Sequence, residues 1–241
     1  HTPKRGARIT RTAPASSSAA ARAIRTCSSS SNSTPSTTVF STPSSDPHKV
    51  DSRTPQAKVR ITQPFYLATT EVSVAQFRKF VESTGYQTDA ERNGTGMGIN
   101  LQTGGEWRKN VDRNWKTPGW ESKDDEPVVQ VSYDDALAFS EWLSKVEKVR
   151  YRLAYDAEWV FACRAGSLNK SGLDVGEDAL SDWIWAGQPT WFKPGASPSL
   201  LVNSLESNPF GLHHMHGNVH EWCVQSVEAW TSSKMAQSVV H

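Results

Sequence analysis

Six side chains able to ligate a transition metal crowd into eleven residues: His213, His214, His216, His220, Glu221 and Cys223. Imidazole, carboxylate and thiolate donors at that density are the material of a zinc or copper site. The spacing is less specific than the count. It is not H-E-x-x-H, and Gly217-Asn218 interrupts any regular helical i,i+4 pair. Ligand number without geometry assigns no metal, so the metal reading stands beside one in which these are ordinary loop residues. The three cysteines, Cys27, Cys163 and Cys223, are widely spaced and form no C-x-x-C, which argues against a disulfide framework or a zinc knuckle. No G-x-S-x-G, P-loop or G-x-G-x-x-G occurs, so the enzyme classes built on them gain no support.

The elements that must position these residues are few. Val59–Leu67 reads as extended chain, with Val59 and Ile61 alternating and Pro64 punctuating. Ser73 can cap a helix, with Gln76 at the capping-box position and Val74, Phe77, Phe80 and Val81 on one face; Gly85 ends it. Residues 86–127 carry no clear period and read as long loops pinned by Trp107, Trp115 and Trp120. Pro127–Val131 reads as a short strand. Ser132 caps a second helix whose stripe is Ala136, Phe139, Trp142, Leu143 and Val146. A third helix spans Asp156–Ala165 and stops at Gly166, followed by irregular loops to Val202. The expected class is α+β with unusually little regular structure.

Composition divides the 241 residues unevenly. Residues 1–58 hold thirteen Ser, nine Thr and six Pro, with Phe40 the only aromatic, and are expected to be a disordered tail. They carry nine Lys/Arg against two acids, which leaves 17 basic and 23 acidic residues in 59–241. An acidic folded part gives no reason to expect a nucleic-acid partner. No apolar run is long enough to span a membrane. All ten tryptophans lie between Trp107 and Trp230, which marks a loop-rich core. Trp107, Trp115 and Trp120 beside Glu121, Asp124, Asp125 and Glu126 are open to a second reading as an aromatic ligand groove with an acidic rim; irregular spacing favours core.

Five blocks carry a family resemblance, in order along the chain: FYLATTEVSVAQF at 65–77, NWKTP at 114–118, PVVQVSYDDA at 127–136, YRLAYDAEW at 151–159 with Arg164-Ala-Gly166, and NPFGLHHMHGNVHEWC at 208–223. Together they resemble the formylglycine-generating enzyme, or sulfatase-modifying factor, family, whose last block reads N-x-[FY]-G-L-x-D-M-x-G-N-V-W-E-W. The resemblance implies a variant of the C-type-lectin-like fold with stabilising calcium. It also implies oxygen-dependent oxidation of a cysteine in sulfatase peptides of the C-x-P-x-R type to formylglycine, with copper(I) held by two cysteines that follow an R-G-G-S-W block. Soft thiolates suit that ion.

Carried onto this sequence, the family's calcium position falls on His214, the carbonyls of Gly217 and Val219, and Glu221. Calcium takes six to eight oxygen ligands, so an imidazole at His214 implies a weakened site with Glu221 and the two carbonyls still poised. No R-G-G-S-W and no cysteine pair follows Trp222. The expectation is a C-terminally incomplete copy of the domain at 59–241, lacking the catalytic block and inactive, with Cys163 and Cys223 as packed thiols. Three of the histidines then stand where the family has Tyr, Asp and Trp. Tyr155 replaces a capping Thr, which predicts a loss of about 1 kcal/mol. His220 replaces a buried Trp, which predicts a loss of about 3 kcal/mol. The alternative function is a non-catalytic, lectin-like module binding peptide or glycan, supported by fold analogy alone.

Overall fold

The computed structural model describes residues 65–94, 96–100, 106–167 and 199–224, together with short strands at 5–7, 9–11, 21–24, 37–40, 57–61 and 238–240. The strands are β1 (Arg5–Ala7), β2 (Ile9–Arg11), β3 (Ala21–Ile24), β4 (Thr37–Phe40), β5 (Ala57–Ile61), β6 (Phe65–Ala68), β7 (Gly96–Asn100), β8 (Glu106–Val111), β9 (Tyr151–Leu153), β10 (His220–Trp222) and β11 (Ser238–Val240). The helices are α1 (Val74–Thr84), α2 (Asp89–Asn93), α3 (Tyr133–Glu147) and α4 (Asp156–Arg164). The class is α+β with little regular structure.

The largest sheet is antiparallel, in the order β3-β6-β2-β9, with Thr10 opposite Leu67 and Arg152. A second sheet runs β11-β5-β4; β1 lies parallel to β10; β7 and β8 form a hairpin with an irregularity at Gly96/Met97. Four of these strands fall within residues 1–58 and join the sheets by backbone pairing.

The helices start where the sequence says they should. Ser73 Oγ accepts the Gln76 N–H at 3.3 Å while Gln76 Oε1 accepts the Ser73 N–H at 2.9 Å, a complete capping box. Gly85, at φ 68°, closes α1 through a 2.8 Å bond to the Val81 carbonyl. Ser132 and Asp135 form the same box on α3. Two expectations fail. Residues 86–127 contain α2, capped by Thr88 with Glu91 and closed by Gly94, and the β7–β8 hairpin. Pro127–Val131 is not a strand: it makes one bridge, Ser73 to Pro127, and Gln130 takes φ 60°, which ends any pleat.

Among the described residues two apolar clusters hold the fold. The first packs α1 on α3: Phe77 stacks on Phe139 at 5.8 Å and meets Trp115 edge-on at 5.4 Å, with Phe80, Val128 and Leu153 beneath. Val146, expected on the α3 stripe, is 58% exposed in the last turn of α3. The second cluster (Ile61, Phe65, Leu67, Ala154, Ala162, Cys163, Leu212 and Met215) seats α4 and the His-rich loop. No helix among the described residues is long and apolar enough to cross a membrane.

Candidate functional site

The His-rich loop is built on Asn208, which is 4% exposed. Its Nδ2 donates to the Ala162 carbonyl at 2.8 Å, and its Oδ1 accepts from Phe210 and Leu212 N–H at 2.9 and 3.2 Å. One amide thus closes the turn and satisfies a carbonyl that α4 leaves open in its last turn. Leu212 and Met215 then drop into the second cluster and fix the loop's depth.

The six candidate ligands do not converge. His213 Nδ1 donates to the Leu205 carbonyl at 2.8 Å, and His214 Nε2 to the Leu201 carbonyl at 2.9 Å. Glu221 accepts Trp159 Nε1 at 3.0 Å. His220 is exposed on β10. His216 instead turns to Cys163, its ring nitrogens 3.6 and 3.7 Å from Sγ, and the thiol donates to the Met215 carbonyl at 3.2 Å. Burial pushes the His216 imidazole below its ordinary value, against an opposing bond from Cys163. Among the described residues no group of three or more His, Cys, Asp or Glu is arranged to hold a metal.

His220, which stands where the resemblance has a Trp, faces solvent on β10. The next indole along β10, Trp222, is the one that anchors, donating to the Val131 carbonyl at 3.1 Å and meeting Tyr133 edge-on at 5.7 Å. As expected, the Tyr155 side chain makes no cap bond. Asp156 Oδ1 accepts the Ala157 N–H at 2.8 Å, and Arg152 lies 4.7 Å above the Tyr155 ring.

The two described cysteines sit at opposite ends of α4. Cys163 is in its last turn. Cys223 precedes Val224, whose N–H donates to the Ala154 carbonyl and whose carbonyl accepts from Asp156 N–H. Seven residues of helix separate the ends, roughly 10 Å at 1.5 Å per residue. A metal bridged by two thiolates needs sulfurs roughly 4 Å apart. Cys27 lies outside the described residues.

Of the tryptophans read as a groove, Trp115 is core and Trp120 is half-buried. Trp115 is 4% exposed and donates to Glu91 at 3.3 Å. The acids beside it cap α1: carbonyls of Glu126 and Asp124 accept the Val74 and Ala75 N–H groups, and the Asp124 carboxylate meets Arg78 at 2.6 Å. The side chain of Trp107 and the loops expected over 168–198 lie outside the described residues. Sequence reasoning missed Glu71, 1% exposed, whose carboxylate takes the Asn218 amide at 3.2 Å; a charged residue next to the β-branched Val72 was the available signal.

A family model for the sulfatase-modifying factor enzyme 1-like domain matches residues 28–240. The chain is 29% identical over 231 residues to the formylglycine-generating enzyme of Bos taurus, covering 84% of this chain and 59% of that protein. Against the formylglycine-generating enzyme of Streptomyces coelicolor it is 32% identical over 202 residues, covering 73% and 62%. It is also 28% identical over 209 residues to the inactive C-alpha-formylglycine-generating enzyme 2 of Mus musculus, covering 74% and 63%. It therefore spans less than two thirds of the length of these relatives. The structure of PvdO from Pseudomonas aeruginosa shares the fold, with a TM-score of 0.62 at 22% identity over 86% of this chain and 75% of that one. With five sequence blocks, a matching fold and a family model spanning nearly all of it, the chain belongs to the sulfatase-modifying factor enzyme 1-like family.

Proposed function

We propose that this chain is the scaffold of a formylglycine-generating reaction on sulfatase-type cysteine peptides, and that its 241 residues alone do not carry the oxidation out. The observation that supports this is the separation of Cys163 and Cys223 along α4, with the Cys163 thiol already engaged by Met215 and His216. Cys163 Sγ is thus occupied by a carbonyl 3.2 Å away, while a soft metal takes an open thiolate. The test is to incubate the purified chain with a C-x-P-x-R peptide, copper(I), oxygen and a thiol reductant. Mass spectrometry then follows the loss that accompanies thiol-to-aldehyde conversion. The expected trace is unchanged peptide; multiple turnovers per chain would refute the proposal.

Likeness to the inactive C-alpha-formylglycine-generating enzyme 2 favours a second reading, in which the chain binds such a peptide without converting it. Retention of the unmodified peptide in the same experiment separates this from a chain that does neither.

A further inference from the structure

Three side chains of the His-rich loop grip the segment just before it. Asn218 accepts the Leu200 N–H at 2.8 Å and donates back to the Leu200 carbonyl at 3.3 Å. His214 Nε2 meets the Leu201 carbonyl at 2.9 Å, with the Ser204 hydroxyl 3.5 Å away, and His213 Nδ1 meets the Leu205 carbonyl. A carbonyl only accepts, so each of these ring nitrogens carries its proton. Residues 199–205 have no helix or strand to satisfy their backbone, so the loop supplies the partners.

His214 stands at the position to which the resemblance assigns a calcium ligand. Its nitrogen is not the hard oxygen that calcium takes, and it is bonded to a neutral carbonyl. Glu221, the one carboxylate of the set, accepts from Trp159 through Oε2. The donor set does not fit calcium. Yet position 214 is 3% exposed and makes a cross-strut between two loop segments, the mechanical task a bound cation performs by drawing oxygens together.

We infer that His214 is a metal-free substitute for a cation: its Nε2–H clamps the Leu201 carbonyl, and with it residues 199–205, so that the stability of this fold does not depend on calcium. The backbone tolerates a direct test. His214 sits at φ 54°, in the left-handed region where Asn, Asp and His are the enriched non-glycine residues, so His214→Asp keeps the turn.

Thermal unfolding of the full chain in EDTA and in millimolar calcium decides the matter. The wild-type midpoint is expected to be the same in both. H214A should unfold roughly 3–8 °C lower in both, the loss of one buried hydrogen bond in a domain of this size. H214D should fall by a similar amount in both, because a carboxylate cannot donate to the Leu201 carbonyl. If either variant fails to fold, hydrogen exchange of the wild-type peptide spanning 199–205 gives the same answer, with protection expected to be equal with and without EDTA. A wild-type midpoint or protection that drops in EDTA and saturably returns with calcium would overturn the inference. So would an H214A or H214D midpoint equal to wild type.

Discussion

Arg152 on β9 grips Glu158 on α4 through two parallel bonds, Nη1 to Oε2 at 2.8 Å and Nη2 to Oε1 at 2.7 Å, with Glu158 only 2% exposed. Glu158 also accepts the Tyr155 N–H at 2.9 Å, so one carboxylate ties the strand, the helix start and the helix together. Removing the guanidinium leaves a buried charge without its counter-ion. Arg152→Ala is expected to cost about 3 kcal/mol in urea unfolding. Arg152→Lys should recover only part of that, since an ammonium cannot form the fork. The R152M/E158Q double variant should cost less than R152A alone.

Asn208 is a second single-residue hub. Its amide donates to α4 and its carbonyl accepts two loop N–H groups. Asn208→Ala strands these groups in the interior and should cost about 2–3 kcal/mol. Asn208→Asp keeps the acceptor but turns a charged oxygen toward the Ala162 carbonyl, so it should be at least as destabilising. A milder N208D than N208A in chemical denaturation would show that the contact to α4 contributes little.

Tyr155 makes a subtler case. Replacing a residue with no cap by Ser should gain about 1 kcal/mol if capping acted alone. The substitution also removes the ring under Arg152, worth about 0.5–1 kcal/mol. The two nearly cancel, so Tyr155→Ser is expected to leave the urea midpoint almost unmoved.

These hubs show how unevenly the sequence discloses the fold. Caps are local, and Ser73 with Gln76, Ser132 with Asp135 and Gly85 all hold the positions their chemistry requires. The signal for α2 was equally local, Thr88-x-x-Glu91 followed by Gly94, but five residues give no hydrophobic period to draw attention to it. Pro127–Val131 is apolar because Val128, Val129 and Val131 fill the core, and burial of that kind occurs without a ladder. At the site, ligand types were legible and their directions were not. Whether His214 faces a metal or the Leu201 carbonyl depends on a segment that shares no sequence pattern with it.

The network joining α1, α2 and α3 sets the pH limits. Tyr86 donates to Asp135 at 3.0 Å, and its hydroxyl is pushed up to about 12 from 10.0, first by burial and then by that carboxylate. A folded value above the unfolded one stabilises below pH 10 and fades as pH climbs toward 12. Asp89 is held below its ordinary 3.8, first by the Ser132 hydroxyl and then by Arg92, against burial. Its contribution is present above about pH 4 and lost as pH falls through the lowered value. Urea midpoints across pH should show Tyr86→Phe flattening the alkaline arm alone and Asp89→Asn flattening the acid arm alone.

The separation of Cys163 and Cys223 along α4 is open to direct measurement by titrating the reduced chain with copper(I) against a competing chelator. Replacing either cysteine, as Cys163→Ser or Cys223→Ser, is expected to leave the copper affinity as it was. A tight one-to-one site that disappears with either substitution would place the two sulfurs on one metal and contradict that expectation.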